Sequence, residues 1–237
     1  MSVPFYAKSP ENQGYIKNME VVGFCDLNGV NAFQMALHKT DDGRYYMYCG
    51  SFRGPGWNVV DVTDPTQPKV VNWLEACDPK EYPATNTPKI QVADGLMIGA
   101  TGGGVSFLHG CKPGDKSLGS LQIFDIKTDP VHPKLLGKWE TGVENGMGVQ
   151  DEEQFLNGEG MVEDGYRVEF IKDHLRWLHK AIEEGCNCFG YHMWCPFDSW
   201  SWSNAYKNRY GFIRIDVNDH ARPSFKRSAS WFRQVSD

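Results

Sequence analysis

The sequence predicts a chain of mixed α and β structure, with an all-β first part over residues 1–142 and an α/β second part over residues 143–237. Three observations support this fold class. In the first part, Gly, Pro and Asp separate short runs of β-branched and aromatic residues, a pattern typical of strands joined by tight turns. The same part contains an internal repeat. The second part contains a long stretch in which apolar residues recur with helical spacing.

The first part contains seven runs that are predicted to be strands. They are Met19–Cys25, Arg44–Cys49, Trp57–Val62, Val70–Trp73, Leu96–Ala100, Leu121–Ile126 and Lys134–Trp139. Before the second of them, Asp41-Asp42-Gly43 predicts a hairpin turn, because Asp and Gly are favoured at turn positions that need a positive φ.

The internal repeat pairs residues 57–71 with residues 121–136, and Asp61 and Asp125 lie 64 positions apart. In both copies a strand ends at an Asp, Asp-Pro starts a turn and Pro-Lys starts the next strand, since proline presets φ. Residues 19–24 form a weaker third copy of that next strand. The unit resembles the LVIVD-type repeats of β-propellers, in which this turn links the last strand of one blade to the first strand of the next. The resemblance implies an incomplete propeller of about two blades between residues 15 and 142, whereas closed propellers have about four to eight.

In the second part the sequence predicts a helix, two strands and a closing helix. The helix spans Tyr166–Glu184 and ends at Gly185. A buried strand is expected at Cys186–Trp194 and another at Phe212–Val217. The last helix opens at Pro223-Ser224, with Phe225, Ala229, Phe232 and Val235 facing inward.

Several short motifs follow one another in this second part: Glu144-Asn145-Gly146, Trp194, Trp202 and Arg209-Tyr210-Gly211. With them, the segment from Glu144 to Asp237 resembles the C-terminal end of glycoside hydrolase family 1, and above all its 6-phospho-β-glucosidases and 6-phospho-β-galactosidases. The resemblance implies that residues 143–237 are the C-terminal fragment of a (β/α)8 barrel. They would supply about two of its eight βα units.

By this resemblance Glu144 is the candidate catalytic nucleophile; its alternative role is a solvated carboxylate in a junction loop. Retaining glycosidases need a second carboxyl group about 5–5.5 Å away as acid/base. In the family this group is the Glu of an Asn-Glu-Pro, and these 237 residues contain no such tripeptide. We expect any replacement among Asp26, Asp94 and Asp198, with Asp198 first because it follows the predicted strand that ends at Trp194.

The resemblance also implies a set of substrate-binding residues: Trp194, Ser201, Trp202, Lys207, Asn208 and Tyr210. The two Trp rings could stack on a sugar, although we favour ordinary hydrophobic packing for them in this chain. Ser201 stands where plain β-glucosidases carry a Glu, and a hydroxyl can donate to a 6-phosphate that a carboxylate would repel. Tyr210 matches a Tyr of the phospho-specific members. Their Lys position holds Asn208, with Lys207 one residue earlier.

Composition limits the partners. A net charge of −6 argues against nucleic acid, and no run of 18 apolar residues predicts a membrane span. The N-terminus lacks the apolar segment of a signal peptide, and an odd number of seven Cys favours a reducing compartment, so the predicted location is cytoplasmic. Cys186 and Cys188, with the three His residues of this region, lack the pair spacing of zinc sites. We therefore predict no metal and no cofactor.

The function that the resemblance implies is a retaining β-glycosidase, with a small-molecule β-glycoside or its 6-phosphate as partner. Without the acid/base residue, these 237 residues are expected to be inactive by themselves, so enzymatic activity stays open. One alternative is a non-catalytic propeller-type binding or scaffold protein, and another is a fusion product without selected function.

Two expectations concern how the two parts behave. Two βα units cannot cover both faces of their sheet. We therefore expect exposed apolar surface near Trp177, Trp194 and Trp231, and self-association through it or through sheet edges. The two parts should fold largely independently, with a boundary between Trp139 and Gly148.

Overall fold

The computed structural model describes residues 21–103, 111–112, 114–140, 157–200, 205–206 and 209–236. The chain divides into two compact units, Met1–Gly148 and Val149–Asp237, called here the first and second units. Within the described residues the chain has mixed α and β structure, with all of its long strands in the first unit and both α-helices in the second.

The first unit consists of two four-stranded antiparallel sheets, each with its strands in chain order. The first sheet contains β1 (Met35–Lys39), β2 (Tyr45–Cys49), β3 (Gly56–Asp61) and β4 (Lys69–Glu75). The second sheet contains β5 (Asn86–Ala93), β6 (Leu96–Gly102), β7 (Ser120–Asp125) and β8 (Lys134–Glu140). A single 3-10 turn, Leu27–Gly29, precedes β1 among the described residues.

The repeated segments form equivalent hairpins, β3–β4 in the first sheet and β7–β8 in the second. In the turns, the Asp64 carboxylate accepts a hydrogen bond from Thr66 N at 2.9 Å, and that of Asp129 accepts one from Val131 N at 2.9 Å. The ladder register shifts between Val59 and Val60, and it shifts at the equivalent place between Ile123 and Phe124. The repeat is thus a structural unit that includes its β-bulge. The expectation that its turn links successive sheets is wrong, because the turn joins the third and fourth strands of one sheet.

The core of the first unit lies between its two sheets. Trp57 is fully buried, and its ring meets that of Phe124 edge-on at 5.7 Å. The same ring lies over Gly99, where an added Cβ would fall 2.3 Å from it. The Tyr48 hydroxyl donates to Pro130 O at 2.8 Å. Burying a side chain as large as Trp57 stabilises the fold by about 2–3 kcal/mol, so these contacts hold the two sheets together.

Most of the predicted strands in the first part are confirmed, and so is the hairpin turn at Asp41-Asp42-Gly43, where Gly43 has a φ of 86°. Two strands, β1 and β5, were not predicted. Met35–Lys39 has no β-branched residue, and Asn86–Ala93 contains β-branched residues but is interrupted by Pro88, which argues against a strand. Of the predicted Met19–Cys25, residues 21–25 form no strand, and residues 19–20 lie outside the described residues.

The second unit contains α1 (Gly165–Glu183), the hairpin of β9 (Ile213–Asp216) and β10 (Arg222–Phe225), and α2 (Arg227–Ser236). Val168 and Ile171 lie on the buried face of α1, and Phe212 stacks on Phe232 of α2 with ring centroids 5.1 Å apart. The predicted helices and the strand at Phe212–Val217 are confirmed within a few residues. Phe225 and Val235, predicted to face inward, are exposed.

The predicted strand at Cys186–Trp194 is wrong, because these residues form no strand and are at least partly exposed. A strand takes its backbone hydrogen bonds from neighbouring strands, and none of the strands in the described part of the second unit pairs with this segment.

No helix among the described residues is both long and apolar enough to cross a bilayer.

Candidate functional site

A buried polar network in the second unit holds the Arg209-Tyr210-Gly211 motif in place. Its centre is Asp198, whose Oδ1 accepts hydrogen bonds from Lys226 Nζ at 2.9 Å and from Gly211 N at 3.1 Å. The side chains of Asp198 and Lys226 have no exposed surface. The ammonium and the carboxylate therefore neutralise each other in a site that water does not reach.

Two cations also fix the backbone of this motif through its carbonyl groups. Arg209 O accepts from Lys226 Nζ at 2.9 Å and from Arg167 Nη2 at 2.6 Å. Arg167 Nη1 donates to Tyr210 O. At Gly211 an added Cβ would lie 2.1 Å from the carbonyl carbon of Phe197. Only glycine permits this close approach, so the network sets where the backbone of Tyr210 lies.

A second buried carboxylate joins the two helices. Asp164, just before α1, accepts from Ser228 N at 2.8 Å and from Ser228 Oγ at 2.5 Å, and so caps the N-terminus of α2. Arg167 Nε lies 3.3 Å from Asp164 Oδ2. Arg167 thus contacts both the helix cap and the motif backbone, and connects α1, α2 and the Arg209–Gly211 segment.

Of the predicted site residues, the described residues include Trp194 and Tyr210. Trp194 is 75% exposed, so the expectation that its ring packs in the protein interior is wrong. Tyr210 is partly buried. Glu144, Ser201, Trp202, Lys207 and Asn208 lie outside the described residues. Their roles stay predictions that rest on sequence.

Asp198 cannot serve as the missing acid/base residue. Its carboxylate is buried and accepts hydrogen bonds from Lys226 and two backbone N–H groups, those of Gly211 and Ile215. A general acid must reach the leaving oxygen of a substrate, and this carboxylate faces a cation inside the protein. The prediction that put it first is therefore wrong. Asp26, another candidate, accepts from Asn28 N at the 3-10 turn of the first unit.

The network residues Arg167 and Lys226 were not predicted from sequence. Arg167 lies in the first turn of a helix whose apolar positions were the visible signal, and Lys226 lies between two elements in a polar stretch. The only available signal was indirect: a Gly in Arg209-Tyr210-Gly211 indicates close packing of the backbone. Nothing in a single sequence tells which charged side chains fill the space around it.

Several aromatic side chains are exposed on the second unit. Trp177 is 67% exposed, so the expected apolar surface is confirmed at Trp177 and Trp194, whereas Trp231 is partly buried. Lys180 Nζ lies 5.2 Å from the Trp177 ring centroid. Near the predicted site, His174 Nδ1 lies 3.2 Å from the Tyr191 hydroxyl, and partial burial raises the pKa of that phenol.

The first unit has a polar cavity of about 390 Å³ beside the β1–β2 and β5–β6 turns. Its lining includes His38, Lys39, Asp41, Asp94 and Lys127. Burial lowers the pKa of His38, more than the nearby Asp41 carboxylate raises it. The cavity is open and could accept a small polar solute. Among the described residues no three His, Cys, Asp or Glu side chains are grouped so that they could hold a metal ion.

Comparison with known proteins finds relatives of the C-terminal part of the chain. A sequence profile described as Glycosyl hydrolase family 1 matches residues 142–237. This segment matches glycoside hydrolase family 1. It is called the family 1 segment below. The match supports the predicted barrel fragment in the second part, while the predicted propeller blades of the first part stay a prediction.

Individual relatives of the family 1 segment are phosphoglycosidases by name. The chain is 51% identical over 94 residues to 6-phospho-beta-glucosidase GmuD of Bacillus subtilis (strain 168). The aligned residues cover 40% of this chain and 20% of the relative. It is 37% identical over 94 residues to a 6-phospho-beta-galactosidase of Staphylococcus aureus (strain JH9), covering 40% and 19%. The chain thus spans about a fifth of the length of these curated relatives.

Among solved structures, the chain is similar to a family 1 b-glucosidase from Thermotoga maritima. The sequence identity is 28% and the TM-score is 0.34, and the similarity covers 35% of this chain and 19% of the other.

Proposed function

We propose that the family 1 segment supplies the nucleophile end of a retaining β-glycosidase site for 6-phospho-β-glycosides. The observation that carries this proposal is the 51% identity over 94 residues to a 6-phospho-beta-glucosidase. In this proposal Glu144 attacks the anomeric carbon, and the exposed ring of Trp194 stacks on the sugar, as Trp202 does. Ser201, Lys207, Asn208 and Tyr210 lie around the 6-phosphate.

The buried network supports the phosphate-binding part of the proposal. Lys226 and Arg167 donate hydrogen bonds to the carbonyl groups of Arg209 and Tyr210. The backbone that carries the Tyr210 side chain is therefore fixed in position. Neither cation is available to the phosphate itself, because the Lys226 side chain is buried against Asp198 and Arg167 is bound to backbone carbonyls. In this proposal Lys207 supplies the positive charge next to the phosphate, and the neutral amide of Asn208 donates a hydrogen bond to it.

The missing acid/base residue defines what this chain can do. A carboxylate at Glu144 can form a glycosyl ester when the leaving group departs without protonation, as dinitrophenolate does. It cannot efficiently expel a poorer leaving group, because positioned acid/base assistance is worth about 10²–10⁴-fold. Hydrolysis of the resulting ester needs the same residue as base. We therefore expect one slow covalent reaction rather than turnover.

The experiment follows from that chemistry. The protein is incubated with 2,4-dinitrophenyl β-glucoside 6-phosphate and its intact mass is measured. The expected result is a single added 6-phosphoglucosyl group, located at Glu144 by peptide mapping, with no adduct in Glu144→Gln. The matched control Glu152→Gln should still form the adduct. Turnover of nitrophenyl β-glucoside 6-phosphate should stay at background.

Two outcomes would contradict the proposal. If neither the 6-phosphate nor dinitrophenyl β-glucoside labels Glu144, the nucleophile assignment is wrong. If only the unphosphorylated glucoside labels it, the assignment of Ser201, Lys207, Asn208 and Tyr210 to the phosphate is wrong. Multiple turnovers that disappear in Glu144→Gln would instead mean that an acid/base residue is present.

The first unit supports a second function, a propeller-type binding or scaffold role. The observation that favours it is the pair of equivalent hairpins, which share an Asp-Pro turn and a bulge at the same repeat position. Repeated four-stranded sheets are the building unit of propellers, whose surfaces commonly bind other molecules. We further propose a cytoplasmic location. None of the seven cysteines, all of which lie among the described residues, forms a disulfide, which favours a reducing compartment.

A further inference from the structure

One face of the second sheet carries apolar side chains that are exposed, whereas its other face packs in the core of the first unit. Leu96, Ile98 and Leu121 on this face are 40%, 38% and 39% exposed. Ile98 and Ile123 lie directly opposite each other on β6 and β7, so they share this face with the other two. A depression of about 280 Å³ on it is lined by apolar side chains that include Ile98, Ala100 and Leu121 and by the polar Gln34, Lys89 and Gln91.

The internal repeat shows what such a face is built to contact. Trp57 and Val59 of β3 correspond to Leu121 and Ile123 of β7 at the spacing of 64 residues. Both Trp57 and Val59 are fully buried, because their face of the first sheet packs on the second sheet. The exposed apolar face of the second sheet is therefore the equivalent of a face that is covered in the first sheet.

The neighbouring strands give the same correspondence. Tyr48 lies opposite Val59, and Ile98 lies opposite Ile123. Tyr48 is fully buried between the sheets, whereas its equivalent Ile98 is exposed. Three equivalent positions on two strands of each sheet thus carry large apolar side chains in both copies. They are fully buried in the first sheet and at least partly exposed in the second.

The opposite face of the first sheet is the matching surface. Ile90 of β5 packs against the first sheet, and the ladder registers make Met35 of β1 its equivalent. Likewise Leu37 is the equivalent of Val92, which packs against the same core. Met35 and Leu37 are 54% and 58% exposed. The first sheet therefore offers the kind of surface that the second sheet uses inside the molecule.

The chain segments that precede β1 and β5 are also equivalent, because each contains a Cys-Asp pair, Cys25-Asp26 and Cys77-Asp78. Each Asp carboxylate accepts a hydrogen bond from the backbone N–H two residues later. Ala76, beside the second pair, is buried in the core between the sheets. Leu27, beside the first pair, packs on Val60 and Cys49 and buries them at the centre of the first-sheet face whose edge carries Met35 and Leu37. This segment is thus part of the surface that a partner would meet.

From these equivalences we propose that the first unit associates head to tail with a second copy of this chain. The exposed face of the second sheet in one copy packs on the Met35 and Leu37 face of the first sheet in the next. The contact repeats the sheet-on-sheet packing seen within the unit, with β5 of one copy facing β1 of its neighbour. Such an interface is heterologous, and it yields a closed ring when the rotation between copies closes.

Two variants test the proposal, one for each face. Ile98→Asp places a charge on the face of the second sheet, and Leu37→Asp places one on the face of the first. Both positions are exposed, so the fold should tolerate the change, and far-UV circular dichroism checks this. Phe189→Asp, at a side chain that is 98% exposed in the second unit, is the control for unspecific aromatic association. Sedimentation velocity up to about 100 μM covers the affinity of a moderate interface.

The expected pattern separates a head-to-tail interface from the alternatives. The wild type and Phe189→Asp should self-associate, and each single-face variant should associate at least about tenfold more weakly. An equimolar mixture of the two variants should form a 1:1 dimer and nothing larger, because one intact face of each kind remains. If a variant loses its secondary structure, Ile98→Thr or Leu37→Thr takes its place.

Three results would overturn the proposal. The first is a monomeric wild type over the whole concentration range. The second is that either single-face variant associates like the wild type. A symmetric contact that uses only one face would give this result, because the variant of the other face would still associate. The third is loss of association in Phe189→Asp, which would place the contact in the second unit.

Discussion

At the scale of single residues, the pair of Lys226 and Asp198 is the interaction on which the second unit most depends. Both side chains are fully buried and their charged atoms lie 2.9 Å apart. Loss of one member of a buried pair costs about 3–5 kcal/mol when the other charge is left without compensation. Arg209 Nη1 stays 3.6 Å from Asp198 Oδ2 and compensates part of that charge. We therefore expect Lys226→Met to lower the free energy of unfolding of the second unit by about 3 kcal/mol, the lower end of that range, as measured by urea denaturation followed by tryptophan fluorescence.

An exposed ion pair provides the control for this prediction. Lys172 Nζ lies 2.6 Å from Glu169 Oε1, but the two side chains are 36% and 65% exposed, and ion pairs open to solvent contribute about 0–1 kcal/mol. Lys172→Met should therefore change the stability little. The double variant Lys226→Met/Asp198→Leu should recover part of the loss, because it removes both charges. Equal effects of Lys226→Met and Lys172→Met would contradict the assigned role.

The sequence could identify only part of this site. Short motifs that resemble those of family 1 predict roles for Glu144, Trp194 and Tyr210, because such motifs can be read locally. The sequence also suggests Asp198 as the acid/base residue, whereas the structure places it in a buried ion pair. Its burial depends on Lys226, which lies 28 positions away and contacts it only in the folded chain. Long-range pairing of charges leaves no periodic pattern in a sequence.

At the scale of elements, Gly99 of β6 allows the two sheets of the first unit to pack closely. An added Cβ would lie 2.3 Å from the buried ring of Trp57, and overpacking of this kind costs about 1–3 kcal/mol. A Cβ added at Gly137 of β8 would have no other atom within 4 Å. Gly99→Ala should therefore destabilise the first unit, while Gly137→Ala should be neutral or slightly stabilising, by about 0.4–1 kcal/mol. Thermal unfolding of both variants checks this, and a similar loss in both would show that Trp57 can move aside.

The strands found by sequence and those missed differ in where their stabilisation comes from. β3 and β7 contain β-branched or aromatic residues and lead into Asp-Pro turns, so their signal is local. β1 has no β-branched residue and β5 is interrupted by Pro88, and both are held as strands by their neighbours β2 and β6. Cys186–Trp194 shows the reverse case. It has the composition of a strand but no pairing partner among the described strands, and composition alone does not form a strand.

At the scale of the whole molecule, the sequence changes character between the first and second units. Repeated antiparallel hairpins fill the first, and the match to family 1 begins at residue 142. The hydrophobic core of the first unit is built from its own two sheets. The buried charges of the second are satisfied by residues of the second unit. These core contacts and buried hydrogen bonds therefore each lie within a single unit.

We expect the two units to unfold in separate transitions. Differential scanning calorimetry should show two heat-absorption peaks. Gly99→Ala should lower the temperature of one peak, and Lys226→Met should lower that of the other, by about 4 °C for each kcal/mol lost. In each variant the remaining peak should stay in place, because neither substituted residue contributes to the core of the other unit. A single peak that both variants shift by comparable amounts would mean that the family 1 segment and the repeat segment fold as one cooperative unit.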